Sequence, residues 1–129
     1  MANLKIAQDP TFKAKVAIPR VGGQVVEVEF QFKYRGRKEL AALFAGWNKR
    51  SKEDQDRLKA LGDEVTLVEI TDASIELQVE QVTELVAGWG FDDPLSDESI
   101  RALVETSAGA GAAIVDAYQN AFNPARLGN

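Results

Sequence analysis

Four carboxylates stand close together near the middle of the second half: Asp92, Asp93, Asp97 and Glu98. Clustered oxygen ligands can hold Ca²⁺ or Mg²⁺, and paired carboxylates can share acid–base work. Their order does not suit a calcium-binding helix–loop–helix, which needs acids at alternate positions, a central Gly and a closing Glu. The plainer reading is structural. Asp92 and Asp93 build a turn before Pro94, while Asp97 and Glu98 favour the positive end of a helix dipole. Gly22-Gly23 and Gly109-Ala110-Gly111 match neither GxGxxG nor GxxxxGK[ST], so they read as turns and not as phosphate cradles. The chain has no cysteine and no histidine. That removes thiolate and imidazole metal sites, Cys nucleophiles and any Ser-His-Asp triad. No nucleophile with a base and no cofactor fingerprint is visible, so metal, cofactor and catalytic residues are all expected to be none.

Other residues could serve recognition. Lys33, Arg35, Arg37 and Lys38, beside Tyr34, could form a small anion-binding or nucleic-acid patch, or meet an acidic partner. A solvated strand end followed by a first helical turn is the plainer explanation. Trp47 and Trp89 each close an apolar helical stripe, and Tyr118 and Phe122 lie on another. Such aromatics are ordinarily core, yet Trp and Tyr are enriched at interface hot spots. By residue type alone, Trp47, Trp89, Tyr118, Phe122, Arg35, Arg37 and Lys38 are the candidate partner-binding residues.

The elements that must position them follow from periodicity. Residues 11–18 alternate, with Phe12, Ala14, Val16 and Ile18 on one face and Lys13 and Lys15 on the other. After Pro19 and the Gly22-Gly23 turn, Val26, Val28, Phe30, Phe32 and Tyr34 alternate with Glu27, Glu29, Gln31 and Lys33. These runs, 11–18 and 24–34, predict an antiparallel hairpin with one wet face, where Lys13 and Lys15 can face Glu27 and Glu29. The period then changes. Leu40, Leu43, Phe44 and Trp47 predict a helix over 37–50. Ser51 can cap a polar helix over 52–61 that ends at Gly62. Residues 64–70 read equally as a short strand or a helix start. From Thr71, the stripe Ile75, Val79, Val82, Val86 and Trp89 predicts a helix closed by Gly88 and Gly90. Ser96 caps a further helix with Ile100, Leu103 and Val104 inward, and a last helix over 112–122 stops before Pro124. Strands followed by helices give an α+β fold: a hairpin and then a bundle of four to five helices.

The chain has 129 residues, 45% hydrophobic and 27% charged. This is an ordinary globular composition, long enough for one domain over 1–129, with a loose lead-in (1–10) and a short tail (124–129). No apolar run is long enough to span a membrane, and the N-terminus lacks a signal-peptide stretch. Residues 1–50 carry net charge +6 and residues 51–129 carry −11. An acidic chain is a poor general nucleic-acid binder. Either the halves fold together and partly neutralise, or copies meet head to tail, basic end to acidic end.

Several stretches in matching order resemble the tail assembly chaperones of long-tailed, siphovirus-like bacteriophages. They are Phe12-Lys13-Ala14-Lys15-Val16-Ala17-Ile18-Pro19 with Gly22-Gly23, then Val28-Glu29-Phe30-Gln31-Phe32-Lys33-Tyr34-Arg35. Val86-Ala87-Gly88-Trp89-Gly90-Phe91-Asp92-Asp93-Pro94-Leu95-Ser96 follows, and the close resembles too, in Ile114-Val115-Asp116-Ala117-Tyr118 and Ala125-Arg126-Leu127-Gly128-Asn129. Residues 52–61 and 63–70 match no such pattern. The resemblance implies a non-enzymatic role in virion morphogenesis. Such proteins bind the tape measure protein, a long helical chain, and keep it soluble until tail-tube subunits assemble around it. It further implies self-association, action in the host cell cytoplasm, absence from the mature virion and, in many phages, a frameshifted longer form that contacts the tail tube protein. The competing expectation is a structural tail protein, a tube or terminator-like subunit. A metal-dependent enzyme built on the acidic cluster, or an unrelated adaptor, stands behind both.

Overall fold

The computed structural model describes residues 4–123. Its order is β1 (Thr11–Pro19), β2 (Val25–Lys33), α1 (Arg37–Ala60), a 3-10 turn (Gly62–Glu64), α2 (Leu67–Leu85), β3 (Val86–Trp89), α3 (Asp97–Thr106) and α4 (Ala110–Ala121). The α+β expectation holds. The hairpin forms within a residue of the expected bounds, and four α-helices follow it. The expected tail, 124–129, lies outside the described residues, and the lead-in from Leu4 carries no helix or strand.

β1 and β2 pair antiparallel, with Ala14 opposite Phe30 and Val16 opposite Val28. Alternation then puts Val16, Ile18, Val28, Phe30 and Phe32 on one buried face. The wet face carries Lys13–Glu29 (3.9 Å) and Lys15–Glu27 (3.6 Å). Both pairs are diagonal in the register and exposed, so each contributes under about 1 kcal/mol. Gly22 and Gly23 close the hairpin at φ 85° and 79°, which a side chain would strain.

Three expectations need correction. The helices over 37–50 and 52–61 are one 24-residue helix. Ser51 does not cap. A single serine within a helix costs only about 0.5 kcal/mol against alanine, and Arg50 pairs with Asp54 across that point, with Arg57 joining Asp54 from the next turn. The ambiguous 64–70 stretch is a helix start, four residues before Thr71. Thr66 accepts from the Glu69 amide (3.2 Å), and the Glu69 carboxylate accepts from the Thr66 amide (3.0 Å). Finally, the stripe from Ile75 to Trp89 does not stay helical. The chain leaves the helix at Val86 and adds a third strand to the free edge of β2, pairing Phe30 with Trp89. The Gly90 amide extends that ladder to the Glu29 carbonyl (2.8 Å).

The core lies between the inner sheet face and α2, α3 and α4. Val79, Val82, Leu85, Ile100, Val104, Ile114 and Tyr118 fill it against Phe30 and Phe32. Gly111 lets α4 approach α2 closely, since a Cβ there would lie 3.1 Å from Gln78 Cβ. Gly109 starts α4 at φ 87°, a left-handed conformation that suits glycine.

Candidate functional site

The basic cluster at the end of β2 does structural work. Arg35 donates to the Glu84 carbonyl (2.7 Å) and to the Tyr118 hydroxyl (3.3 Å). Lys33 donates to the Thr83 carbonyl (3.4 Å). These carbonyls close α2, where a helix leaves acceptors without partners and its dipole favours cations. Tyr118 in turn donates to the Lys33 carbonyl (2.8 Å). Burial pushes the Tyr118 phenol above its ordinary pKa, with Arg35 opposing part of that shift. Arg37 and Lys38, in the first turn of α1, stay exposed.

The aromatic candidates divide. Trp47 is buried and its indole donates to the Glu84 carboxylate (2.9 Å), tying α1 to α2. Tyr118 is fully buried. Trp89 is half-buried on β3, edge-on to Phe30 and Phe91, and its indole donates to the Asp93 carbonyl (2.8 Å). Phe122 is half-buried and lines an open cleft of about 510 Å³ with Phe12, Tyr34, Gln8 and Asp9. Arg35, Tyr118 and Phe122 therefore share one end of the molecule, with Arg37 and Lys38 following on in the chain, and Trp89 sits apart from them.

Asp92, Asp93, Asp97 and Glu98 are all exposed, and no group of acidic residues that could hold a metal ion occurs among the described residues. Asp97 and Glu98 lie in the first turn of α3, which Ser96 caps by accepting from the Ser99 amide (3.1 Å).

A different surface emerges at the far end of the helical hairpin. Between Trp47 and Val79 no hydrophobic side chain is buried. Leu67 and Val68 are 77% and 68% exposed. Val68, Ile75, Val79 and Val82 follow helical spacing, so the outer end of α2 continues the stripe that α3 and α4 cover further in. Nothing covers that outer end among the described residues. On the other side of α2, Leu58, Gly62, Val65 and Ile70 line a groove of about 550 Å³ against α1, with Asp56 and Lys59 at its edge. Sequence reasoning left these residues out because residues 64–70 had no assigned period. The Thr66-Leu67-Val68-Glu69 capping pattern was the available signal.

Over its whole length, residues 1–129, the chain matches a family described as phage tail assembly chaperone. The chain belongs to the phage tail assembly chaperone family. No curated protein and no solved structure matches it. Members of this family are non-enzymatic assembly factors whose partners are tail proteins. No helix among the described residues is long and apolar enough to cross a membrane.

Proposed function

We propose that this tail assembly chaperone binds the phage tape measure protein, keeps it soluble and hands it to polymerising tail-tube subunits. The observation that carries the reading is family membership across the entire chain. The tape measure protein is a long helical client whose apolar stripes would aggregate if left bare. A helix whose apolar face lacks a cover is suited to masking such a stripe by helix-to-helix packing. The uncovered outer end of α2, with Leu67 and Val68, supports that role. Among the residues singled out by type, Phe122, Arg37 and Lys38 remain accessible as further contacts, while Trp47, Tyr118 and Arg35 support the fold. Several self-associating copies along one client would turn weak contacts into avidity. The chaperone acts in the host cytoplasm and leaves before the virion is complete, and a frameshifted longer form adds contacts to the tail tube protein.

Co-expression with the tape measure protein of the same phage tests this. The expected result is a larger soluble fraction of the client and its co-purification with the chaperone. The pair Leu67→Ser and Val68→Ser, on the exposed surface, should abolish both while leaving the chaperone folded. A client equally insoluble with and without the chaperone, or the chaperone retained in purified virions, would replace this reading with that of a structural tail protein.

A further inference from the structure

The six ion pairs among the described residues leave the charge division of the chain largely intact. Only Arg50 joins the basic first 50 residues to the acidic remainder, through Asp54 and Glu80. Lys5, Arg20, Arg37 and Lys38 on the basic side have no ion-pair partner there, and neither do Asp56, Asp63 and Glu64 on the acidic side. Self-neutralisation within one copy therefore does not use these groups.

Two unsatisfied surfaces also match in apolar character. Leu4 and Ile6 are 98% and 100% exposed. In an extended segment they fall on one side and Lys5 on the other. The groove lined by Leu58, Val65 and Ile70 is apolar at its floor. Asp56 stands at its edge and Asp63 and Glu64 lie on the 3-10 turn beside it, with Lys59 and the cap-engaged Glu69 as the other charged groups nearby. Lys5 starts on the opposite side, and its long flexible stem can bend over the backbone to that acidic rim while its neighbours enter the groove.

Distance separates the two surfaces within one copy. The Pro10 carbonyl accepts from the Tyr34 amide (2.8 Å), which anchors the lead-in beside the end of β2. Ile6 is four residues from that anchor, about 14 Å of extended chain. Lys33 reaches Thr83 at the inner end of α2, and Ile70 lies thirteen residues further out, about 20 Å of helix. Leu4, six residues from the anchor, has a reach of about 20 Å, but Ile6 falls short, so the two side chains cannot both seat in the groove of their own copy.

We infer that the lead-in of one copy, through Leu4, Lys5 and Ile6, docks in the Leu58–Val65–Ile70 groove of a second copy. The contact is heterologous: one end of the molecule meets the opposite end of the next, so each bound copy presents a fresh groove and a fresh lead-in. This names the contact behind the self-association proposed above. Its test uses no client, so its outcome is independent of tape measure binding.

Sedimentation of the full chain over a range of concentrations should show growth beyond a dimer, weakening as salt rises. The double variant Leu4→Asp, Ile6→Asp alters only exposed side chains and should weaken association about tenfold or more. The groove variant Val65→Asp, Ile70→Asp should do the same, with circular dichroism confirming that it is folded. Mixing the two restores one intact lead-in and one intact groove, so it should give a dimer that grows no further. A monomeric wild type, a lead-in variant that associates like wild type, or a mixture that stays monomeric would overturn the proposal. If the groove variant fails to fold, Lys5→Glu with and without Asp63→Lys, Glu64→Lys decides: loss by the first and recovery by the second is expected, and no recovery overturns it.

Discussion

The two ends of α2 live in different environments. Its inner half buries Val79, Val82 and Leu85 between the sheet and α3 and α4. Its outer half and the facing half of α1 bury no hydrophobic side chain; the Arg50–Glu80 ion pair crosses between the helices, while the Asp54 pairs and the Thr66 cap act within one helix each. Arg50 bridges Asp54 and Glu80, and Arg101 of α3 pairs with Glu76. Buried apolar area contributes about 25 cal/mol per Å², whereas an exposed ion pair contributes under about 1 kcal/mol. The inner end is thus the stability of the protein, and the outer arm is its spare surface. A chaperone needs such a division, because apolar groups used to hold the fold together cannot also cover a client.

The sharpest way to break this comparison is to remove a side chain from each end. Phe30→Ala should destabilise the protein by about 3–5 kcal/mol in urea unfolding, since Phe30 is fully buried against Phe32, Trp89 and Phe91. Leu67→Ala, at the exposed end, should stay within about 0.5 kcal/mol. Equal losses would mean that the arm is packed as tightly as the body.

A smaller effect is expected at the junction of the two regions. Tyr118→Phe removes the bond to the Lys33 carbonyl and the acceptor for Arg35, at a cost of about 1–3 kcal/mol. The phenol pKa is raised in the folded state, chiefly by burial. The unfolded chain therefore releases that proton first, and stability falls as pH rises above about 10. Thermal unfolding across pH 8–11 should show this slope in the wild type and a flatter one in Tyr118→Phe.

Thr66→Ala removes the cap of α2 and should cost about 1 kcal/mol. The comparison sharpens the readout: amide exchange should quicken over the first turns of α2 and leave the inner turns protected. The smallest effect belongs to Glu76, whose carboxyl is held below its ordinary pKa mainly by its hydrogen bond with Arg101. Because the folded pKa is the lower one, its contribution is present above about pH 4.3 and fades as pH falls through the folded value. Glu76→Gln should reduce this acid-side dependence slightly, measured by the same thermal scans between pH 3 and 6.

Much of the fold was legible because its signals are local. The alternation of residues 11–18 and 24–34 states two strands, their wet face and even the Lys–Glu pairs. Helical spacing at Leu40, Leu43, Phe44 and Trp47, and the Ser96 cap, state helices. The family resemblance likewise rested on ordered sequence stretches. Little of the candidate surface was legible. Aromatic type pointed to Trp47 and Tyr118, which the fold buries, and passed over Leu67 and Val68, which it leaves bare.

What the sequence determined by itself is therefore the set of local conformations and the partition of faces, since periodicity, capping and turn chemistry act over a few residues. The tertiary structure alone decided three things. It turned Val86 to Trp89 from a helical stripe into a strand, because the open edge of β2, paired through Phe32↔Val86 and Phe30↔Trp89, offered hydrogen bonds from a distant part of the chain. It assigned Lys33 and Arg35 to the carbonyls that end α2. It also ended α3 and α4 short of the outer arm, which left the apolar face there without a cover. Each depends on which distant segment arrives to compete for the same groups, and no local pattern encodes that arrival.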